Sequence, residues 1–445
     1  SVEMDDLREF SRYPLLMCPK KMLSERKCPI FKKRSFFHME SDFLKNTTGE
    51  QTSELFDYLR YETDYDVDLI WETILRNYHQ CDIVKNLNLT YVLPTNQYNA
   101  QLLEKQTREN KIALVMHLYF EDLLEESYNY VSSMPTNTDI YLTTDTEHKR
   151  QAIEDVFSKL PCHKLEVRVI QNRGRDVSSL LVGVKDVIMQ YDIVCFAHDK
   201  KTAQVRPGTI GASFAYKCFE NTLSNKAYVA NVINTFVNNP RLGILSPPEP
   251  NHSTFFTTIG FEWGPNFDVT KKLAQKLGLN VPMNVYKQPV APLGTMFWFR
   301  PNAMKPLYDA DWKYEDFPPE PNKIDGTLLH AIERIYPFVA QDAGFYPAIG
   351  MTDKFAAIEY GNLRYYLRGY NQVVVNNGIG PFHDQMIGIV NQVFALRGSF
   401  KAVLKFRIKS FLKRILPKKM RKQLGKIWRK MKGIKEITDI EVKEN

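Results

Sequence analysis

The chain has 445 residues, a formal net charge of +8 at pH 7, and hydrophobic residues at 44% of its positions. This length exceeds one domain of roughly 150 residues, and the composition is typical of a packed globular protein. Disordered, collagen-like and disulfide-framework proteins are therefore excluded. The longest apolar runs fall far short of the roughly 20 residues that a membrane span needs. We expect no transmembrane helix, and no signal peptide at the start of the sequence.

The positive charge is concentrated near the end of the chain. Residues 401–435 contain 15 Lys or Arg and no Asp or Glu, so the rest of the chain is net acidic. Such a segment favours either a nucleic-acid arm or contact with an anionic membrane surface. The six cysteines are scattered and form no C-x-x-C pair, which indicates reduced thiols in a cytosolic compartment.

Residues 1–110 read as an accessory and linker region that is partly helical. Helices are predicted there over residues 52–60 and 67–80, and the second has a clear apolar stripe. This region carries no recognisable chemistry.

From residue 111 short apolar runs alternate with amphipathic segments. Strands are predicted over residues 112–119, 139–144, 165–170 and 192–197, with helices over residues 121–133, 147–160 and 177–190. This alternation predicts an α/β fold with a mostly parallel sheet flanked by helices. Ligands bind such sheets at the carboxyl ends of their strands. Farther on we predict helices over residues 212–238 and 326–336, and strands over residues 242–245 and 295–300.

The run Asn172-Arg173-Gly174-Arg175-Asp176 joins the third strand to the following helix. We expect Asp176 to be the N-cap of that helix. Two arginines beside a helix N-terminus suit a diphosphate, because guanidinium groups match pairs of phosphate oxygens. An ordinary capped turn, with its arginines paired to surface carboxylates, is an equal alternative.

The run His198-Asp199-Lys200-Lys201 directly follows the fourth strand. Asp199 or His198 could hold a divalent cation against phosphate oxygens. The two lysines could instead neutralise a diphosphate without metal. A solvated loop is the third interpretation.

The segment that begins at Asp325 is the third candidate. Asp325 is expected to be a helix N-cap and a general base, with Asp316 in the preceding proline-rich turn as the second choice. His330 is either a ligand of metal or phosphate, or a hydrogen-bonded core histidine. Sequence fingerprints of P-loop hydrolases, dinucleotide-binding dehydrogenases and α/β-hydrolases are absent.

Several stretches resemble the rhamnan synthesis protein F family of bacterial polysaccharide assembly, and their order is similar to that of GT-A glycosyltransferases. The resemblance covers roughly residues 10–375 and is carried by YETDYDVDLIW (61–71), VRVIQNRGRD (167–176), YDIVCFAHDKKT (191–202), TMFWFRP (295–301) and DGTLLHAIERIYP (325–337).

The resemblance implies roles for particular residues. Donor-binding positions are Asp145 near the base or ribose, and Asn172, Arg173, Arg175, Asp176, His198, Lys200 and Lys201 near the diphosphate. His198-Asp199 falls where the acidic metal motif of GT-A enzymes would hold Mg²⁺ or Mn²⁺, although one aspartate and two lysines replace the usual Asp-x-Asp. Asp199 is the expected metal ligand of this pair, and His330 is the second candidate ligand. Asp325 aligns with the catalytic base of inverting enzymes.

The implied reaction is inverting transfer of rhamnose from dTDP-rhamnose to a lipid-linked oligosaccharide in cell-wall or surface polysaccharide synthesis. The implied GT-A-like domain covers residues 111–385, with a donor half at 111–248 and an acceptor half at 249–385. Family members often carry a further module upstream, so this chain is expected to be a C-terminal portion. Transfer of another sugar or of a phospho-polyol remains an alternative.

Residues 399–435 have apolar positions spaced by three and four, with lysines along the flank. This pattern predicts two basic amphipathic helices in the plane of an anionic membrane. The alternative is docking on the protein's own body. We expect a cytoplasmic protein, peripheral on the inner face of the plasma membrane. Nucleic-acid binding is the less favoured hypothesis, because the body is acidic and contains no known nucleic-acid module.

Overall fold

A computed structural model describes Lys20, Ser24 and residues 50–201, 208–250, 258–322 and 325–376. Within these residues eight strands form one sheet. They are Thr90–Leu93 (β1), Ile112–His117 (β2), Asp139–Thr144 (β3), Lys164–Val169 (β4), Ile193–His198 (β5), Leu242–Ser246 (β6), Phe297–Phe299 (β7) and Tyr346–Thr352 (β8). Their order across the sheet is β1-β8-β6-β7-β5-β2-β3-β4. The predicted α/β fold is confirmed.

Strands β2 and β5 are neighbours in the interior of the sheet. Every residue of β2 is buried, and so is nearly all of β5. Strands covered on both faces read as continuous apolar runs, which is why these two were readily predicted. β4 lies at one edge of the sheet and is only partly buried.

Strand β7 runs antiparallel to both of its neighbours, β5 and β6, whereas the other pairs are parallel. It is preceded by Gly294, whose φ is +101°. A Cβ at this glycine would lie 2.8 Å from the Cys218 sulfur. Both the backbone conformation and the close approach therefore require glycine here.

Helices cover both faces of the sheet. They are Glu50–Glu62 (α1), Val67–Asn77 (α2), Gln80–Asn86 (α3), Ala100–Glu109 (α4), Leu124–Val131 (α5), Glu147–Phe157 (α6), Arg175–Ser178 (α7), Lys185–Ile188 (α8), Gly208–Glu220 (α9), Lys226–Asn238 (α10), Phe267–Lys276 (α11), Lys305–Tyr308 (α12), Leu328–Asp342 (α13) and Asp353–Asn376 (α14). Several begin at a side-chain cap. Asn99 accepts from the Leu102 N–H, and Asn225 from the Tyr228 N–H, both at 3.0 Å.

The sheet separates two hydrophobic cores. Alternate residues of β2 point to opposite faces, so Leu114 and Met116 join one core while Ala113 and Val115 join the other. The first core is closed by α10 and the second by α13. Both cores hold the carboxyl ends of the central strands in place.

Two predicted helices differ in the structure. The helix expected over residues 177–190 is split into α7, a π-helical turn at Ser179–Gly183, and α8. At Gly183 a Cβ would lie 3.1 Å from the Ile170 side chain, so the break coincides with a close approach to the sheet. The helix expected over residues 212–238 is two helices, α9 and α10, which are separated at the Asn225 cap.

The sequence did not predict strands β1 and β8, which pair with each other in parallel. β1 lies within residues 1–110, so the region expected to be accessory contributes an edge strand to the same sheet. The chain divides into two compact units, Ser1–Asn362 and Leu363–Asn445. The described part of the second unit is the remainder of α14. The basic segment 399–435 lies outside the described residues.

No helix in the described ranges is both long enough and apolar enough to cross a bilayer.

Candidate active site

Polar side chains end neighbouring strands at the carboxyl edge of the sheet. His117, the last residue of β2, is in register with Thr143 of β3 and His198 of β5. Asp199 follows directly, and its backbone N–H donates to the His117 carbonyl at 3.0 Å. Because α/β sheets bind ligands at this edge, this row of residues is the centre of the candidate site.

The His117 ring is buried and held in one orientation. Its Nδ1 lies 2.9 Å from Thr143 Oγ1, which in turn lies 2.7 Å from Ser179 Oγ. Burial lowers the pKa of His117 to about 4, against an opposing effect of the Asp176 carboxylate. The ring is therefore neutral at physiological pH.

Both ring nitrogens of His198 face carbonyl oxygens. Nδ1 lies 2.7 Å from the Asp199 carbonyl, and Nε2 lies 2.8 Å from the Gly294 carbonyl. A carbonyl oxygen only accepts, so both contacts are satisfied together when both nitrogens carry hydrogen. An Asp176 carboxylate oxygen lies 4.0 Å from Nε2.

The Asp199 carboxylate fixes the loop after β2. Its Oδ2 accepts hydrogen bonds from the backbone N–H groups of Tyr119 at 2.7 Å and Phe120 at 2.6 Å. Burial raises the pKa of Asp199 to about 6, and these two bonds oppose the increase. One carboxylate oxygen is thus occupied by the protein itself.

Asp145 and Asn172 are in contact. Asp145 Oδ2 accepts from Asn172 Nδ2 at 3.1 Å, and its Oδ1 accepts from Lys149 Nζ at 2.7 Å. The Lys149 ammonium also lies 3.6 Å from the centre of the Tyr119 ring. Lys149 was not among the predicted residues, although its position four residues after Asp145, at the start of a helix, was an available signal.

The two arginines of the N-R-G-R-D motif bind another part of the protein. Arg173 donates to the carbonyls of Phe317 at 2.7 Å and Glu315 at 2.9 Å. Arg175 forms an ion pair with Glu320. These contacts match the alternative of a turn whose arginines are already paired. Binding of a diphosphate by these arginines stays a prediction, and it requires these contacts to open.

Asp176 is not the N-cap of the helix that follows. The N-cap of α7 is Gly174, with φ +88°, and Asp176 lies in the first turn. A Cβ at Gly174 would lie 2.7 Å from the Phe317 ring, so the close approach of Phe317 moves the helix start back to the glycine. Since α7 has only four residues, it does not provide the long helix dipole that the prediction assumed.

The two lysines after β5 have different neighbours. The Lys200 ammonium lies 4.5 Å from the centre of the Phe214 ring. Lys201 forms an ion pair with Asp122 on the one-turn helix Glu121–Leu123. Lys200 is thus the better placed of the two to receive an anionic ligand.

Asp325 is exposed and lies before α13, not at its cap. The N-cap of α13 is Thr327, because Gly326, with φ +74°, turns the chain between Asp325 and the helix. Asp325 Oδ1 accepts from Asn266 Nδ2 at 2.8 Å, which orients the carboxylate. His330 Nδ1 lies 2.8 Å from Thr327 Oγ1, as expected for a hydrogen-bonded histidine.

Asp316 closes a one-turn helix, Tyr314–Asp316. Its Oδ2 accepts from the Lys313 N–H at 2.9 Å. Since this bond gives Asp316 a local structural role, the geometry favours Asp325 over Asp316 as a proton acceptor.

A set of metal ligands is not assembled within the described ranges. No group of three or more His, Cys, Asp or Glu side chains there could hold a metal ion. One carboxylate oxygen of Asp199 and one ring nitrogen of His330 are already in hydrogen bonds within the protein. Mg²⁺ is often held by only one or two carboxylates together with substrate phosphates. The use of Mg²⁺ or Mn²⁺ therefore stays a prediction.

A cluster of four charged side chains was missed by the sequence analysis. Lys217, Glu262 and Glu359 are buried, and the Glu249 charge acts on all three. Lys217 Nζ, Glu262 Oε2 and Glu359 Oε1 have no hydrogen-bond partner among the described residues. We call these four residues the charged cluster. Lys217 is a single lysine in the apolar sequence of α9, which was the available signal for it.

Burial changes the pKa values in the charged cluster. Desolvation lowers the pKa of Lys217 to about 8, and raises those of Glu262 and Glu359 to about 7 each. Carboxyl groups that titrate near neutral pH are well suited to proton transfer. Glu262 Oε1 accepts from the Gly260 N–H at 2.9 Å, and the Lys217 ammonium lies 5.8 Å from the centre of the Phe214 ring, so these groups are only partly paired. Buried groups with strongly perturbed pKa values often mark functional sites.

A chain of contacts links His198 to this cluster. Gly294 accepts from His198 through its carbonyl and donates from its N–H to Glu333 Oε1 at 2.7 Å. Glu333 Oε2 pairs with Arg334 at 2.8 Å, and Arg334 Nε donates to the Glu262 carbonyl at 2.8 Å. These contacts therefore run from His198 to the backbone of Glu262, one member of the charged cluster.

Comparison with known proteins agrees with the motifs. Residues 1–345 match the protein family described as "Rhamnan synthesis protein F". Because this match covers more than half of the sequence, the chain belongs to that family. Membership supports a glycosyltransferase role in general.

Two curated relatives share 27% identity with the chain over 232 residues, which is 52% of this chain and 31% of each relative. Both are called "Uncharacterized protein WxcX" and come from two strains of Xanthomonas campestris pv. campestris. The chain thus spans about a third of the length of these relatives. A solved structure, "Crystal Structure of a Mycobacterial Protein", shares 10% identity with a TM-score of 0.26, over 47% of this chain and 59% of that one. So low a score supports no further argument.

Proposed function

We propose that the protein is an inverting glycosyltransferase that moves rhamnose from dTDP-rhamnose to a lipid-linked glycan during synthesis of a cell-wall or surface polysaccharide. Family membership supports the reaction class. The observation that carries the proposal is the row of polar residues at the carboxyl edge of the sheet, where His117 and His198 end adjacent parallel strands and Asp199 and Lys200 come directly after.

The donor binds along the carboxyl ends of β2, β3 and β5. Asp145 receives the nucleoside, while Asn172, Lys200 and the His198 ring face the diphosphate. Lys149, which lies beside Asp145, adds a further cation. Arg173 and Arg175 join them once the diphosphate displaces their present partners. Positive groups placed around the diphosphate stabilise the negative charge that develops on it as it leaves. Such electrostatic stabilisation is usually the largest single contribution to catalysis.

The chemical step is a single displacement. The acceptor hydroxyl oxygen attacks the anomeric carbon and forms the new glycosidic bond. The bond from that carbon to the diphosphate oxygen breaks, and its electron pair leaves with dTDP. The hydroxyl proton passes to Asp325, which is exposed and oriented by Asn266. Mg²⁺ or Mn²⁺ held by Asp199 would add positive charge at the diphosphate, but no step depends on it here.

The decisive experiment offers the protein a panel of nucleotide sugars with a lipid-linked acceptor, with and without EDTA, and measures nucleotide release and the anomeric configuration of the product. We expect release of dTDP from dTDP-rhamnose with inversion. Release from a different nucleotide sugar, or transfer of a phospho-polyol, would support the alternative transferase in the same pathway. Absence of any transfer, together with salt-dependent binding of nucleic acid, would contradict the proposal.

A further inference from the structure

A cavity lies at the edge of the sheet opposite the candidate active site. Its volume is about 540 Å³, which is within the range of roughly 300–1,000 Å³ usual for small-molecule sites. Its walls include Leu89, Arg241 and Phe345, which directly precede β1, β6 and β8. The cavity is therefore at the amino ends of the strands. At about 3.3 Å per residue, the seven residues of β8 place it roughly 20 Å from the carboxyl edge.

The cavity is lined by aromatic rings and by charged groups that nearly balance. The rings belong to Phe56, Tyr65, Trp71, Tyr91, Phe345 and Tyr346, and the charged groups are Asp57, Asp66, Asp68, Arg60 and Arg241. Trp71 and Tyr346 are stacked, with ring centres 4.6 Å apart. Tyr65, at the rim, is 52% exposed. The aromatic surface is thus partly preformed and partly open to solvent.

Some of the charged groups are already used within the protein. Arg241 Nε pairs with Asp68 at 2.8 Å, and Asp66 caps α2 through the Asp68 N–H. Asp57 and Arg60 differ, because neither forms a hydrogen bond or an ion pair with another described residue, although the guanidinium of Arg60 lies 5.5 Å from the centre of the Tyr61 ring and its charge acts on Asp57. They lie three residues apart on α1, and so on one face of the helix. A planar carboxylate and a planar guanidinium are therefore available together at this wall.

This chemistry fits a neutral, hydroxyl-rich ring. A phosphorylated ligand is disfavoured, because the carboxylates of the lining outnumber its guanidinium groups. Aromatic faces cover the apolar C–H faces of a sugar, while carboxylate and guanidinium groups bind adjacent hydroxyls in pairs. We propose that the cavity is a second glycan-binding site, which holds a distant part of the growing chain while its end is extended at the carboxyl edge. This inference rests on the proposed function for the identity of the glycan.

A second site of this kind has a definite consequence. A glycan bound at the cavity keeps its growing end near the transfer site, so that end is present at a high effective concentration. Long acceptors would then be bound more tightly than short ones of the same sugar.

The test is calorimetric titration of the full chain with a rhamnose oligosaccharide in the absence of donor. We compare the parent with the double variant Asp57→Asn/Arg60→Gln, which removes both charges without breaking a hydrogen bond or an ion pair between described residues. Asp309→Asn, an exposed partner of Lys305 on another helix, is the matched control. We expect saturable binding by the parent and the control, and at least tenfold weaker binding by the double variant, with equal thermal unfolding midpoints for all three.

Equal oligosaccharide affinity of the parent and the double variant would overturn the inference. Saturable binding of dTDP or inorganic phosphate that the double variant weakens would overturn it as well. Because no donor is present, the result is independent of transfer. Normal oligosaccharide binding without any transfer would contradict the proposed function alone.

Discussion

Arg175 and Glu320 are joined by two parallel hydrogen bonds, from Nε to Oε1 at 2.7 Å and from Nη2 to Oε2 at 3.1 Å. The same contact holds the pKa of the Glu320 carboxyl below its ordinary value. A carboxylate in the fork of a guanidinium occupies the position that two phosphate oxygens would take. Glu320 and the donor diphosphate therefore compete for Arg175.

We predict that Glu320→Gln increases the affinity for dTDP. Partly exposed ion pairs contribute about 0.2–1 kcal/mol, so releasing Arg175 from this pair should strengthen binding by roughly 1.5- to 5-fold. Titration calorimetry with dTDP measures the change. Asp311→Asn, which removes the exposed partner of Lys185, is the control and should leave the affinity as it was. Unchanged or weaker binding by Glu320→Gln would remove Arg175 from the donor site.

The central strands were predictable because their signal is local. Ile112–His117 and Ile193–His198 are continuous apolar runs that only a strand buried on both faces explains. Strand β1 has just four residues with alternating partial burial, and β8 contains Pro347 and Gly350, which weaken the strand pattern. Neither strand is distinctive without the neighbour that it pairs with.

The candidate site was predictable only in part, for the same reason. The strand-end residues His198 and Asp199 follow from position in the sheet. The partner of Arg175 lies 145 residues away, and the charged cluster combines Lys217 and Glu359 from separate helices. Burial of these charges depends on which distant segments meet, and one sequence does not contain that information.

The proposed base gives a second prediction. Asp325→Asn should lower transfer by about 10²–10⁴-fold, the usual contribution of a general base, while dTDP affinity stays near that of the parent. Asparagine retains the oxygen that accepts from Asn266, so the fold should be preserved. Asp309→Asn again serves as the surface control, with normal transfer. Transfer at the parental rate in Asp325→Asn would exclude this residue as the base.

The charged cluster predicts how stability changes with pH. Burial raises the pKa of Glu262 and Glu359 from 4.5 to about 7. Between these values the folded state binds more protons at these two groups than the unfolded state, so their contribution to the free energy of unfolding decreases as pH rises from about 4.5 to 7, while the buried His117 contributes in the opposite direction. Glu359→Gln should reduce this slope, as measured by urea unfolding at several pH values. The control is the exposed Glu315→Gln, whose slope should equal that of the parent. A slope in Glu359→Gln as steep as in the parent would contradict the prediction.

Neutralising two members of the charged cluster should stabilise the protein and impair its activity. Replacing buried charges with uncharged side chains of similar size is often stabilising, by about 1–4 kcal/mol. We expect an increase of this size in the free energy of unfolding of Lys217→Met/Glu359→Gln at pH 7, with reduced rhamnose transfer. The exposed double variant Lys226→Met/Glu315→Gln is the matched control. A stabilised double variant with full activity would show that the cluster has no part in the reaction.

The basic segment at residues 399–435 gives the last prediction, which rests on sequence alone. We propose that it binds the protein to an anionic membrane, where a lipid-linked acceptor would be found. Each Lys or Arg near such a surface contributes about 1 kcal/mol, so a third of the 15 basic residues is enough for reversible binding. Flotation with anionic and neutral liposomes compares the whole chain with a chain that ends at Gly398. We expect the whole chain to float with anionic liposomes only, less so at high salt, and the shortened chain to stay in the soluble fraction. Equal partitioning of the two chains, or no preference for anionic lipid, would show that this segment is not a membrane anchor.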